Sequence, residues 1–321
     1  MQVKKIIFIS FCGLFLSWSA GCGGGLVGDT PAAGRACLWV TRDFGAAEIY
    51  NSEVEFAATD SVMTMLQQYL EVETEYGGGF VNAIAGLKSG YTGKVGEDQQ
   101  MLDWFFYMNG IISGVGALDY APGDGDVIWW DYHAWGEISF TPAVIGAFPQ
   151  PFLNGYRGSN PGTLILIGKG CDRHGECLAS FLQEQGAELV EIRPYAETLA
   201  GRRTRITIVV APWDQLKESS FWQGIQENRA KTGWFAELTP DAFYPLDMHG
   251  IRGEGYSGLA GAVLATGTGM GDPTPLWLIT SLNQEGLGEV IDLVVYQPEQ
   301  LQMMIGALIV GKEVIALPQQ R

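Results

Sequence analysis

Residues 103–135 limit what this chain can fold into more than any other stretch. They read DWFFYMNGIISGVGALDYAPGDGDVIWWDYHAW and hold four of the ten tryptophans. Two phenylalanines and three tyrosines stand beside them, between turns built from Gly, Pro and Asp. Aromatic runs bounded by such turns read as strands. High glycine (44 residues) and only 17% charged residues also point to a turn-rich β protein, not a helical bundle. So much aromatic surface beside so much backbone freedom is either a strand core or a ligand wall.

A length of 321 residues suits two domains, and 47% hydrophobic content supports a large packed core. The formal net charge of −17 repels phosphate, which excludes nucleic acid as a partner, and it gains nothing from anionic lipid.

The N-terminus reads as a targeting segment. Lys4 and Lys5 precede an apolar run over residues 6–20, of signal-sequence length and short of the ~20 residues that a membrane helix needs. Ser19-Ala20-Gly21 before Cys22 resembles a bacterial lipobox, with Ser19 where Leu is usual. Two readings follow: lipidation at Cys22 after a signal peptide over 1–21, or an ordinary export signal. Both place the mature chain outside the cytoplasm, the first on the outer face of the cytoplasmic membrane. Small residues over 22–35 then form a flexible tether. Cys37, Cys171 and Cys177 are too few for a disulfide framework, although a Cys171–Cys177 bridge is open.

Residues 36–40 and 54–57 read as strands. Residues 61–70 (SVMTMLQQYL) read as a helix, with Val62, Leu66 and Leu70 on one stripe. Residues 71–76, 80–87, 104–109 and 127–132 read as further strands. The order implies one helix on a mixed β-sheet, a grasp-like α+β domain over 36–140. Residues 141–162 contain Pro142, Pro149, Pro151 and Pro161 and read as a linker. Residues 163–321 alternate continuous apolar strands (163–168, 206–212, 262–266, 276–280, 314–317) with helices over 171–185, 219–231 and near 298–308. That pattern implies an α/β domain with a largely parallel sheet.

Four pieces now carry a resemblance: YGGGFVNAIAGL at 76–87, DWFFYMNG at 103–110, GVGALDYAPGDGDVIWW at 114–130, and the helix before them. In order and spacing they resemble the C-terminal β-domain of the vitamin B12 carriers, transcobalamin and intrinsic factor. They are more similar still to the bacterial domain labelled DUF4430, found on exported proteins. The resemblance covers about a third of the chain and stops short of residue 143. It implies a domain that covers one face of a corrin ring. The helical domain that covers the other face in the animal carriers has no counterpart here. The 163–321 domain is then one candidate for a second wall.

The resemblance and the residue types name the expected ligand-binding positions. Tyr76, Trp104, Phe106, Tyr120 and Trp130 supply area, Asn82 and Asn109 are amide partners, and Gly78 allows close backbone approach. The expected ligand is cobalamin or a related corrinoid. Alternation splits Trp104, Phe106 and Met108 from Phe105, Tyr107 and Asn109 without saying which set faces outward. Of Trp129 and Trp130, alternation predicts one in the core and one exposed.

Other signals are weaker. Cys171 with His174 reads as a nucleophile and base at a helix start, or with Cys177 as zinc ligands, against a plain structural thiol. Gly267-Thr-Gly269-Met-Gly271-Asp272 fails as a dinucleotide fingerprint, because Asp272 stands where the third Gly belongs. Asp119, Asp124 and Asp126 read as a solvated turn, with calcium as the alternative. His133 is a remote cobalt-ligand candidate, and His249 is isolated.

The expected function is therefore a non-enzymatic, lipid-anchored extracytoplasmic binding protein. It captures a corrinoid and presents it to an importer of the energy-coupling-factor type, a link the resemblance alone implies. The alternatives are a surface module that displays Trp130 to a protein or glycan, and an enzyme that uses Cys171.

Overall fold

The computed structural model describes residues 32–136 and 140–320, and these pack as one compact unit. Cys22 and the expected signal and tether lie outside the described residues. The first half contains β1 (Ala32–Arg42), β2 (Ala47–Ala57), α1 (Val62–Tyr69), β3 (Val72–Glu75), β4 (Phe80–Ile84), β5 (Leu87–Lys88), β6 (Leu102–Met108), β7 (Ile111–Ile112) and β8 (Val127–Ala134). Five of these strands form a mixed sheet in the order β2-β1-β8-β6-β7, with only β1 and β8 parallel. The strands β3, β4 and β5 form a small antiparallel sheet beside it.

Helix α1 starts where Ser61 and Thr64 cap each other. The Thr64 amide donates to Ser61 Oγ at 3.1 Å, and the Ser61 amide donates to Thr64 Oγ1 at 2.8 Å. Its Val62, Met63, Met65 and Leu66 are buried against Leu38, Val40, Ile128 and Trp130. Each such side chain contributes about 1.5–3 kcal/mol.

The other face of the same sheet is covered as well. Trp39, Tyr107 and Trp129 belong to a second core shared with Leu166, Trp213, Phe235 and Leu264. The exposed tryptophan predicted at 129 or 130 is therefore absent: both are buried, at 0% and 3%. Alternation holds, but both faces of the sheet have a partner.

The β1–β2 turn runs through Asp43, Phe44 and Gly45 with φ of 59°, 61° and 86°. Asp131 holds it. Its carboxylate accepts from the Phe44 and Gly45 amides, each at 3.0 Å, from Thr41 Oγ1 at 2.5 Å, and pairs with His133 Nδ1 at 2.7 Å. Any side chain at position 45 would place its Cβ 1.9 Å from the Met303 carbonyl, so only Gly fits.

Residues 141–162 are not a loose connection. Ala143, Val144, Ile145, Ala147 and Phe152 are buried. The Val144 amide donates to Gly110 O at 2.8 Å and the Ile145 amide to Ile305 O at 3.2 Å, so this segment bonds to both halves.

The second half is a seven-stranded sheet in the order Val190–Pro194, Thr163–Ile167, Ile206–Val210, Leu276–Ser281, Gly261–Thr266, Gly306–Val310, Glu313–Leu317. The first four strands are parallel and the last three run antiparallel, so the sheet is mixed where a largely parallel one was expected. Helices Asp172–Glu184 and Gln284–Tyr296 cover one face. The helix expected near 298–308 is a correction: it lies earlier, capped by Asn283, whose Oδ1 accepts from the Gly286 amide at 2.9 Å. Pro298 follows its end, and residues 306–310 are a strand. Among the described residues the fold is mixed α/β, with more strand than helix.

One edge is closed by a side chain. Among the described residues β2 pairs only with β1. Tyr69 of α1 reaches it: its hydroxyl donates to Glu55 O at 2.7 Å and accepts from the Glu55 amide at 3.0 Å. No described helix is long and apolar enough to cross a membrane.

Candidate functional site

A cavity of about 610 Å³ opens on the α1 side of β6 and β8. Phe80, Trp104, Phe106, Leu118, Trp130 and Met270 supply its apolar walls, and Thr92, Asp103, Ser113 and Asp119 its polar points. Alternation along β6 puts Trp104 and Phe106 on this side, while Tyr107 goes into the opposite core. Phe106 lies flat on Trp130, with ring centroids 4.7 Å apart and planes at 24°. Trp104 is oriented by its indole N–H, which donates to Leu87 O at 3.2 Å.

Met270 comes from the second half of the chain, in the 267–274 loop. That loop docks where two backbones touch: a Cβ on Gly114 would meet Met270 O at 3.1 Å and Gly271 Cα at 3.3 Å. The Gly271 amide donates to Ile112 O at 2.8 Å, and the Gly114 amide donates to the Tyr156 hydroxyl at 2.9 Å. Asp272 fixes the loop from within, accepting from the amides and hydroxyls of Thr268 and Thr274 at 2.8–3.0 Å. Arg203 approaches the same carboxylate at 3.4 Å, and both side chains are nearly buried. Burial pushes the Asp272 carboxyl up, but the Thr268 and Thr274 hydrogen bonds outweigh it and hold it below its ordinary value. Burial pulls the Arg203 guanidinium down, with Asp272 opposing. The segment read as a failed dinucleotide motif is thus a rigid wall of the pocket.

The structure brings some of the expected residues together. Trp104, Phe106 and Trp130 line the cavity, and Gly78 stands beside Leu118. Tyr76 is 73% exposed and lines a neighbouring cavity. Three residues are elsewhere. Asn82 reaches only Glu73, at 3.4 Å. Tyr120 is buried against Tyr156, and its hydroxyl accepts from the Arg157 amide at 2.7 Å. Asn109 is 1% exposed, and its amide is consumed by Asp126, Gly155 O and the Val127 amide. Asn109 is taken up by partners inside the protein, whereas Asn82 stands outside the cavity lining. Phe80, Leu118 and Met270 were missed. The signal for Met270 was a lone apolar residue in a glycine-rich loop.

The other candidates are placed as follows. Cys37, Cys171 and Cys177 are free thiols. Burial pushes the Cys171 thiol up, where a helix start was expected to lower it. Gln284 Nε2 stands 3.7 Å from Cys171 Sγ and 3.3 Å from His174 Nδ1. Asp124 Oδ1 accepts from the Arg35 amide at 2.8 Å, and Asp126 Oδ2 from the Gly123 amide at 2.8 Å. Among the described residues no three His, Cys, Asp or Glu side chains gather as a metal site. His133 is stacked between Phe44 and Phe105, with centroids at 4.3 and 4.5 Å, and does not line the cavity.

No curated protein sequence matches the chain. Solved structures similar to it include haptocorrin in complex with Cbi, at 13% identity and a TM-score of 0.25, over 34% of this chain and 27% of that one. A protein from Ruminococcus gnavus ATCC 29149, described as a proposed metal binder, matches at 12% identity and a TM-score of 0.24, over 32% of this chain and 97% of that one. Residues 59–134, from just before α1 to the end of β8 and with most of the pocket inside them, match the family of unknown function DUF4430.

Proposed function

We propose that this protein is a small-molecule binding protein whose site is the aromatic cavity, and that its ligand is cobalamin or a related corrinoid. One observation carries the reading: an open apolar platform, Phe106 flat on Trp130, faced by Phe80, Leu118 and a Met270 wall from the other half of the chain. The cavity volume, about 610 Å³, falls within the ~300–1,000 Å³ usual for ligand sites. A broad, flat macrocycle with apolar edges and neutral amide arms suits such a platform. Thr92, Ser113, Asp103 and Asp119 are the polar groups within its reach.

In this reading the protein is not an enzyme. A lipid on Cys22 tethers it to the outer face of the cytoplasmic membrane, and it hands its ligand to an importer of the energy-coupling-factor type. The resemblance stated above supports that placement. The test is a visible-absorbance titration of the chain with cobalamin and with cobinamide. Saturable spectral change lost in Phe106→Ala is the expected result. No change up to about 100 μM ligand sinks the reading.

A further inference from the structure

Beside the aromatic pocket, and sharing part of its lining, lies a second cavity of about 310 Å³. Two perpendicular aromatic pairs build it. Tyr76 meets Phe80 edge to face at 5.6 Å and 82°, and Tyr91 meets Trp135 at 4.9 Å and 75°. Tyr76 is held outward by a left-handed backbone, φ 52°, and is 73% exposed. Tyr91 is placed by a local turn in which Ser89 Oγ accepts from the amides of Tyr91 and Thr92 at 3.0 and 2.7 Å. Trp135 is anchored by its own amide, which donates to Met101 O at 3.0 Å.

The polar groups of this cavity are of mixed sign. Asp103 lies on one side, with Oδ2 accepting from Thr92 Oγ1 at 2.8 Å. Lys94 and Gln99 line it too, and Lys94 makes no ion pair among the described residues. Five aromatic rings alone would suit a quaternary ammonium. Lys94 opposes a cation, and Asp103 opposes an anion. A ligand with no net charge suits both, and a neutral one with apolar C–H faces for the rings and hydroxyls for the Asp103 carboxylate, the Gln99 Oε1 and the Lys94 ammonium fits the cavity. That is the chemistry of a sugar ring.

We propose that this second cavity is a binding site for a neutral saccharide, stacked on Tyr76 and Tyr91 and hydrogen-bonded by Lys94, Gln99 and Asp103. The two cavities share Phe80, Thr92, Asp103 and Phe105, whereas Tyr76, Tyr91, Lys94, Gln99 and Trp135 belong to the second alone.

Saturation-transfer NMR and calorimetry on the full chain test this. The probes are glucose, galactose, mannose, N-acetylglucosamine and their trisaccharides, with choline and adenosine as competitors of other chemistry. The expected result is saturation of ring C–H protons by at least one sugar, with affinity near about 1 mM for a single ring. Tyr76→Ala and Tyr91→Ala each weaken it by roughly fivefold to tenfold. Met270→Ala, outside this cavity, leaves it unchanged. Lys94→Gln reduces sugar binding and raises choline binding. Binding of choline or adenosine but no sugar overturns the proposal, as does sugar binding indifferent to both tyrosine variants. So does no binding by any probe at about 10 mM. The corrinoid titration reads the other cavity, so either reading can fail alone.

Discussion

The amide of Gly271 donates to the carbonyl of Ile112 across 2.8 Å, so a loop from the seven-stranded sheet is fastened behind the pocket of the five-stranded one. Met270, the residue before that bond, is 59% exposed at the rim. Met270→Ala therefore lowers ligand affinity roughly threefold to tenfold and leaves the melting temperature within about a degree, because little buried contact is lost. Titration and thermal unfolding of the same variant check both halves.

Arg203 and Asp272 form the buried pair that holds this loop. Arg203→Ala leaves Asp272 without its cation and costs about 3–5 kcal/mol in urea unfolding. The Thr268 and Thr274 hydrogen bonds to Asp272 also set a pH dependence. Asp272 is held below its ordinary carboxyl value, so its contribution is complete above that range and fades as pH falls through the lower, folded value. Asp272→Asn removes that part of the acid slope. An unchanged slope below about pH 4 would contradict the assignment.

Phe106 is half-buried on the indole of Trp130. Replacing it by Ala removes the platform and about 2 kcal/mol of packing. The expected outcome is a folded protein, judged by far-UV circular dichroism, with affinity for the proposed corrinoid ligand lowered at least tenfold.

Asp131 gathers four donors at one buried carboxylate: Thr41, Phe44, Gly45 and His133. Asp131→Ala strands them all and costs about 3–5 kcal/mol by denaturant midpoint. Gly45→Ala pushes a methyl into the Met303 carbonyl and lowers the midpoint as well, by about 2–4 kcal/mol.

The elements of the first half were legible because turns, caps and period-two aromatics are local signals. Residues 61–70 were read as a helix and form Val62–Tyr69; residues 127–132 were read as a strand and form Val127–Ala134. Trp104, Phe106 and Trp130 were legible as wall candidates for the same reason. What covers a strand is not local. The burial of both Trp129 and Trp130 depends on a sheet formed by residues far along the chain. Asn109 carries a readable local signal: Asn-Gly is the usual two-residue hairpin turn, and Asn109 and Gly110, with φ of 52° and 80°, turn β6 into β7. Met270 had no sequence link to the aromatic stretch at all. Only the docking of Gly271 against Gly114 brings it there.

Tyr69 has a consequence for how molecules meet one another. An eleven-residue strand with a bare side is a template on which a second chain can pair, and aggregation starts at such templates. One phenol occupies both the donor and the acceptor of Glu55. The template is thereby cut into two shorter lengths, and Glu48 along it adds a charge that repels an identical copy, while Glu53 and Glu55 share Arg35. A chain concentrated on a surface by any tether would need such a guard, and here a single hydroxyl supplies it.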